Sequence, residues 1–183
     1  FSEKVKPFGL TKGKSWVLLA NAQQGALLAN AIGMEIGHLN QAQYTNHIVP
    51  VELYMNGRYM GNYMFTEKVG MANNSVDVDE DFGYLLELVT DGDEVYQFSS
   101  NKYRLPVNIK EPDLLEYAGD PNTRFQEIMN DFHEFENALY SGREIDEYVD
   151  VAALARFVMV NQFIVNQELG HPKSVFLWKE DLS

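Results

Sequence analysis

The clearest hydrophobic pattern in the chain is the strict alternation that precedes Asn56-Gly57. Apolar residues occupy every second position there, at Val49, Val51, Leu53 and Met55. Successive side chains of a strand point to opposite faces, so this alternation is typical of a β-strand. Asn and Gly readily adopt the positive φ values of a two-residue hairpin turn. The segment from 48 to 69 is therefore predicted to be a β-hairpin.

Shorter apolar runs predict further strands. They lie at 16–20, at 83–89, around Tyr96, at 103–110 and at 175–178. Glycine, proline or polar turn residues bound these runs, as expected for short strands. One helix is predicted among them, from 26 to 39, because its apolar positions roughly follow helical spacing. Most of the first 120 residues should therefore form antiparallel sheet.

After residue 120 the hydrophobic period changes from about two to about three and a half residues. A helix is predicted from Pro121 to Ser141-Gly142. A second helix is predicted after Asp150, a residue type that favours the N-cap, and it is apolar nearly all round. Such a helix is typically buried at the centre of a fold. The pattern predicts an α+β fold, mainly β with one helix from 1 to 120 and mainly helical from 121 to 183.

The composition limits the classes of partner. The chain has 183 residues, of which 45% are hydrophobic, enough for one domain with a buried core. Its formal net charge of -13 disfavours nucleic acid and anionic membrane surfaces as partners. No apolar run approaches the roughly 18 residues of a membrane span. Because the chain has no cysteine, a disulfide framework and a thiolate metal site are excluded.

A polar loop between two apolar runs is the first candidate for a functional site. It lies within 161–174 and includes Asn166, Glu168, Lys173 and Ser174. Loops this rich in polar residues commonly carry function. Glu168 is a candidate catalytic carboxylate, and Lys173 and Ser174 are candidate contacts to a phosphate or a metal ion. An ordinary loop glutamate is the alternative interpretation.

Two charged residues upstream could complete such a site. Lys110 ends a predicted strand, from which it would present a point charge above the sheet. Glu136 continues the apolar stripe of the first long helix, where a carboxylate generally needs a cationic partner. A protein-kinase core has the same order of parts: a strand that carries a lysine, a helix that carries a glutamate and a loop that carries a catalytic acid. Surface positions for both residues are the alternatives. The scattered histidines are interpreted as structural: His38, His47 and His133.

Several segments together resemble the CotH kinase family, the spore-coat-protein-H type of bacterial protein. They lie at 14–21, 51–63, 66–68, 83–87 and 107–113 and include the sequences KSWVLLAN, VELYMNGRYMGNY, TEK, GYLLE and VNIKEPD. The resemblance covers nearly the whole chain. It implies an atypical protein-kinase-like fold that binds ATP and Mg²⁺ and phosphorylates serine or threonine hydroxyls on protein. It also implies that Glu168 is the loop acid with Asn166 beside it, and that Lys110 is the strand lysine that contacts the cofactor.

The chain departs from the family pattern at three points. Glu168 stands where the family usually has aspartate, and Ala29 stands where arginine is common. The Trp-Asp-Phe-Asp type of motif after the last strand and an Arg-Gly-Asn motif before the first residue are not in the sequence. We therefore expect a single CotH-like domain over 1–183 that is truncated at both ends, has no assigned metal ligands and is inactive by itself.

Two functions stay open at this point. The first is an ATP-dependent protein kinase, for which the acidic charge of the chain favours a basic protein substrate. The second is a non-catalytic cell-surface or polysaccharide-associated module that retains the kinase-like fold. For both, the resemblance implies an extracytoplasmic location, on a bacterial surface or secreted, and in part of the family the spore coat.

Overall fold

The computed structural model describes residues 2–20, 27–166, 169 and 173–182. The chain divides into two compact units. The first comprises Phe1–Asp77 and Ala155–Asn166, and the second comprises Val78–Leu154 and Gln167–Ser183. The described residues form antiparallel sheets and α-helices, which confirms the predicted α+β class. A single domain with lobes at 1–120 and 121–183 stays a prediction.

The first unit contains a three-stranded antiparallel sheet, with strands β1 (Trp16–Ala20), β2 (Ile48–Met55) and β3 (Arg58–Glu67). Their order in the sheet is β1-β3-β2. The two residues between β2 and β3 adopt the left-handed conformation, with φ of 49° at Asn56 and 77° at Gly57. These are the angles that the turn of a two-residue hairpin requires. The predicted hairpin is confirmed.

Helix α1 (Ala29–Leu39) ends where the hydrophobic pattern predicts and begins three residues later than predicted. Gly37 is its buried residue. A Cβ atom at Gly37 would lie 2.8 Å from Cγ2 of Thr45, closer than real Cβ contacts occur. The absence of a side chain therefore lets the last turn of α1 approach the loop that leads into β2.

The second unit contains a four-stranded antiparallel sheet in the order β5-β6-β4-β7. Its strands are β4 (Tyr84–Leu88), β5 (Gln97–Ser99), β6 (Pro106–Glu111) and β7 (Val175–Lys179). All lie within one to three residues of their predicted positions. The last strand, β7, pairs with β4, so the C-terminal segment of the chain completes this sheet.

Helix α2 (Pro121–Tyr140) covers one face of the four-stranded sheet. Asp120 begins it as the N-cap, because its carboxylate accepts the N–H groups of Asn122 and Thr123, each at 3.2 Å. Buried side chains of the sheet, of α2 and of the turn between β6 and α2 form the core, namely Tyr84, Leu86, Phe98, Val107, Ile109, Leu114, Ile128 and Phe132. Burying each large apolar side chain contributes about 1.5–3 kcal/mol. The predicted stripe of the helix is thus confirmed at Ile128 and Phe132.

Helix α3 (Val151–Phe163) begins as predicted but is not the buried helix that its composition favours. The carboxylate of Asp150 caps it by accepting the N–H of Ala153 at 2.9 Å. Asn161 is its one buried residue in the described part of the chain, whereas Phe163 is 74% exposed. The prediction of central burial is therefore wrong. It failed because a helix that is apolar all round does not indicate which of its sides neighbouring elements cover. None of the helices in the described ranges has the length and apolarity of a membrane span.

Candidate functional site

Lys110 lies at an irregular position of β6. The strand register pairs Leu85 with Glu111 and Leu86 with Ile109. One residue on β4 therefore opposes two on β6, and Lys110 is the extra residue of a β-bulge. Bulges redirect side chains and are over-represented next to active sites. This local geometry sets Lys110 apart from the regularly paired residues of β6.

The Lys110 ammonium lies between two carboxylates. It forms an ion pair with Glu94, and its Nζ atom lies 3.6 Å from Oε2 of Glu87. Partial burial lowers the pKa of Lys110, but the hydrogen bond to Glu94 and the charges of Glu94, Glu87 and Asp93 outweigh that effect. The net pKa is raised above its ordinary value. Lys110 is therefore a fixed positive charge at neutral pH.

Asn108 adds a buried amide to the same strand. Its Nδ2 atom donates to Oδ1 of Asp93 at 2.7 Å, and its side chain is fully buried. Its Oδ1 atom is buried without a hydrogen-bond partner among the described residues. A buried acceptor left unpaired costs about 1–3 kcal/mol. Such an atom is commonly satisfied by a water or a ligand group.

We refer to Glu87, Asp93, Glu94, Asn108 and Lys110 as the Lys110 cluster. It combines one ammonium, three carboxylates and a buried amide. A phosphate that approached Lys110 would have to displace a carboxylate. Glu94 is the easier one to displace, because its side chain is 38% exposed and that of Glu87 is 13% exposed.

Glu136 is buried, with 2% exposure, as its place on the helical stripe indicates. Its carboxylate accepts hydrogen bonds from the Ser100 hydroxyl and from three backbone N–H groups. These are the N–H of Asn101 at 2.8 Å, Lys102 at 3.0 Å and Tyr103 at 3.4 Å. The expectation of a cationic partner is wrong, because polar hydrogens of the turn between β5 and β6 satisfy this carboxylate instead.

These hydrogen bonds determine the ionisation of Glu136. Burial raises its pKa, but the hydrogen bonds from the Ser100 hydroxyl and the backbone outweigh burial and lower the net pKa below its ordinary value. The ionised carboxylate holds the turn before β6. Lys110 has Glu87 and Glu94 as its partners, so the structure does not pair it with Glu136. A catalytic role for Glu136 stays a prediction.

The other predicted site residues lie near the end of the chain. Glu168 lies outside the described residues. Asn166 follows α3, and its Nδ2 atom donates to Oδ1 of Asn161 at 2.8 Å. Lys173 and Ser174 are exposed and directly precede β7. The predicted roles of these residues stay predictions.

Sequence reasoning missed Glu87 and Glu94 as the partners of Lys110. One signal could have indicated Glu87, because a glutamate inside a short apolar strand is largely buried and needs a partner. Glu94 carries no such signal, since it lies in a polar turn of the sequence. Its position beside Lys110 depends on how that turn returns to the sheet.

Comparison with known proteins gives one match. A family model described as CotH kinase protein matches residues 2–183. The matched range includes the Lys110 cluster and the segment from 161 to 174. No curated protein and no solved structure matches the chain.

Proposed function

The chain belongs to the CotH kinase family, and on this basis we propose that it transfers the γ-phosphoryl group of ATP to a serine or threonine hydroxyl of a protein. In this reaction the hydroxyl oxygen forms a bond to phosphorus, the bond to the ADP oxygen breaks, and the hydroxyl proton passes to a base. The family match supports kinase-like function in general. The position of Lys110 is the structural observation that supports the more specific proposal of phosphoryl transfer from ATP.

Lys110 fits a contact to phosphate for three reasons. It is positively charged, it lies at a β-bulge, and its partner Glu94 is partly exposed and can be displaced by a phosphate. Phosphoryl transfer depends mainly on positioning and on stabilising negative charge, so a fixed ammonium can lower its barrier. Glu87 would keep the ammonium in place while Glu94 gives way to the phosphate.

Glu168 is the proposed acceptor of the hydroxyl proton, by its position in the family pattern. Its side chain is one methylene longer than the usual aspartate. Because a proton acceptor must lie within hydrogen-bond reach of the hydroxyl, this length changes where the substrate can bind. Asn166 is the proposed neighbour of Glu168 in the same loop, and Lys173 and Ser174 are proposed cofactor contacts.

Mg²⁺ would supply charge neutralisation at the phosphates of ATP. Within the described ranges, no group of three His, Cys, Asp or Glu side chains is placed to hold a metal ion. The described residues therefore supply no three-ligand set for Mg²⁺. Their contribution to the reaction is the positioned charge of Lys110.

The acidic charge of the chain supports a basic protein as the substrate, because a net charge of -13 attracts cationic partners over long range. We also propose an extracytoplasmic location, on a bacterial surface or secreted. This part of the proposal rests on the family resemblance.

A second function is favoured by a property of the same cluster. Three carboxylates surround a single ammonium, so the local charge is negative and opposes phosphate binding. A non-catalytic surface module that keeps the kinase-like fold would have this arrangement. The two functions differ in one observable, the transfer of phosphate.

A phosphate-transfer assay separates the two functions. The full natural protein is incubated with radiolabelled ATP, Mg²⁺ and a lysine-rich acceptor protein, with a Glu168→Gln variant in parallel. We expect label on serine or threonine of the acceptor, or on the chain itself, with the wild type and none with the variant. Equal incorporation with both proteins would contradict the role of Glu168. No incorporation with either would favour the non-catalytic module.

A further inference from the structure

A polar cavity of about 270 Å³ lies in the first compact unit. Its lining includes Thr11, His38, Asn46, His47, Glu67 and Asn73. Among the described residues that line the cavity, Glu67 carries the only formal charge, and none is a lysine or arginine. This charge favours a cationic ligand and disfavours a phosphate.

Glu67 fixes the proton position on His47. Glu67 is 2% exposed at the end of β3, and its carboxylate accepts the backbone N–H of His47 at 2.9 Å. The Nδ1 atom of His47 lies 3.0 Å from Oε1 of Glu67. A carboxylate oxygen accepts hydrogen bonds, so the tautomer of His47 that bonds to Glu67 carries its proton on Nδ1. The lone pair of the neutral ring is then on Nε2.

A backbone carbonyl fixes the proton position on His38 in the same way. The Nε2 atom of His38, in the last turn of α1, lies 3.1 Å from the carbonyl oxygen of Asn46. A carbonyl oxygen only accepts, so Nε2 carries the proton and Nδ1 keeps the lone pair. The ring centroids of His38 and His47 lie 4.8 Å apart. Two imidazoles with defined lone pairs therefore lie side by side at the cavity.

We propose that His38 and His47 bind a divalent transition metal ion, with Zn²⁺, Cu²⁺ and Ni²⁺ as the candidates. Neutral imidazole nitrogens suit these ions. Histidines that bind metals almost always donate their other N–H to a carboxylate or a backbone carbonyl, and Glu67 and Asn46 provide these two acceptors. No third His, Cys, Asp or Glu completes a metal-binding group in the part of the chain that the structure describes. Water and amide oxygens such as that of Asn73 fill the remaining positions, which makes the site open and exchangeable.

The proposed site is distinct in chemistry from a magnesium site for ATP. Mg²⁺ prefers oxygen ligands in near-octahedral geometry, whereas this site offers two nitrogens. His47 has a side chain that is 53% exposed, so an ion can reach it from solvent. The proposal therefore holds or fails independently of phosphate transfer.

Calorimetric titration of the folded protein with Zn²⁺ tests the proposal. We expect one site, insensitive to excess Mg²⁺, and binding weaker by about tenfold or more in His38→Ala and in His47→Ala. His133→Ala is the matched control, because Nε2 of His133 also contacts a backbone carbonyl, that of Ser99 at 3.2 Å, but among the described residues its ring lies against Phe98 and Phe132 and not against a histidine. Circular dichroism establishes that each variant is folded. Wild-type affinity in both His38→Ala and His47→Ala would overturn the proposal.

Electron paramagnetic resonance with Cu²⁺ gives a second test, in which the wild-type spectrum alone can overturn the proposal. We expect hyperfine coupling from two imidazole nitrogens in the wild type. One coupled nitrogen in His47→Ala, with two retained in His133→Ala, would support the same pair of ligands. A wild-type spectrum with no coupled imidazole nitrogen, or no Cu²⁺ binding, would overturn the proposal.

Discussion

Nζ of Lys110 lies 3.6 Å from Oε2 of Glu87, which joins the two central strands of the four-stranded sheet, β6 and β4, through their side chains. Glu87 is much less exposed than Glu94, the second partner of Lys110. The two carboxylate partners of Lys110 therefore differ, because Glu87 is partly buried and Glu94 is more exposed and easier to displace. This asymmetry gives the cluster a route by which the ammonium becomes accessible to a ligand.

Removing the exposed carboxylate should strengthen nucleotide binding. In Glu94→Gln the competitor for the Lys110 ammonium is neutral, so we expect Mg-ATP to bind up to severalfold more tightly, equivalent to about 1 kcal/mol or less. Fluorescence titration with a labelled ATP analogue measures the change. Glu80→Gln, in an exposed acidic loop, is the control and should not alter the affinity. Weaker binding in Glu94→Gln would show that Glu94 assists the nucleotide rather than competing with it.

Replacing Glu136 should destabilise the second unit. Glu136→Gln removes the charged acceptor of the hydrogen bonds from the 100–103 turn, and a buried site of this kind costs about 2–3 kcal/mol when disrupted. Urea unfolding at pH 7, followed by circular dichroism, measures the free energy of unfolding. Glu134→Gln, at an exposed position of the same helix, should change it by less than about 0.5 kcal/mol.

The contribution of Glu136 to the free energy of unfolding should depend on pH. The folded-state pKa of Glu136 is lowered, so its contribution to stability is fully present above the unfolded value of about 4.3. It is lost as the pH falls through the folded-state pKa. The difference in unfolding free energy between wild type and Glu136→Gln should therefore shrink between about pH 5 and pH 3. A difference that grew on acidification would contradict this assignment.

The hydrophobic pattern predicted most of the elements because each depends on local chemistry. The hairpin turn needs residues that accept positive φ, and Asn56 and Gly57 are such residues. Helix α2 begins at a proline after an aspartate cap and places one apolar face on the sheet. Information of this kind lies within a few neighbouring residues.

The partners in the site could not be predicted in the same way, because they depend on strand register and on loop paths. Glu94 is 16 residues from Lys110, and Ser100 is 36 residues from Glu136. His38 and His47 were predicted to be scattered structural residues, although a helix end and a strand start bring their rings to 4.8 Å. Sequence spacing alone does not encode these contacts.

Removing the cap of α3 should weaken that helix. Asp150→Ala leaves the N–H of Ala153 without its acceptor, which costs about 1 kcal/mol. Thermal unfolding followed by circular dichroism should show a lower midpoint. Asp146→Ala, an exposed aspartate of the preceding loop, is the control. Equal midpoints for Asp150→Ala and Asp146→Ala would mean that the cap does not contribute to stability.

A methyl side chain at Gly57 should destabilise the hairpin turn through backbone strain alone. Gly57 has φ of 77°, and a Cβ atom there would have no neighbour within 4 Å. Gly57→Ala should therefore destabilise the protein by about 1–2 kcal/mol through backbone strain. Asn56→Gly, which keeps the positive φ accessible, should be close to neutral. A Gly57→Ala protein as stable as the wild type would show that the turn rearranges at little cost.

The proposed phosphate contact of Lys110 is tested most directly by calorimetric titration with Mg-ATP of the wild type, Lys110→Ala and Lys179→Ala. Lys179 is the matched control, because it lies on β7 of the same sheet and is also ion-paired, with Asp131. We predict that the wild type and Lys179→Ala bind the nucleotide alike and that Lys110→Ala binds it at least about tenfold more weakly, as expected for the loss of a charge-assisted contact of about 1.5–3 kcal/mol. Wild-type affinity in Lys110→Ala, or no binding by the wild type, would contradict the account.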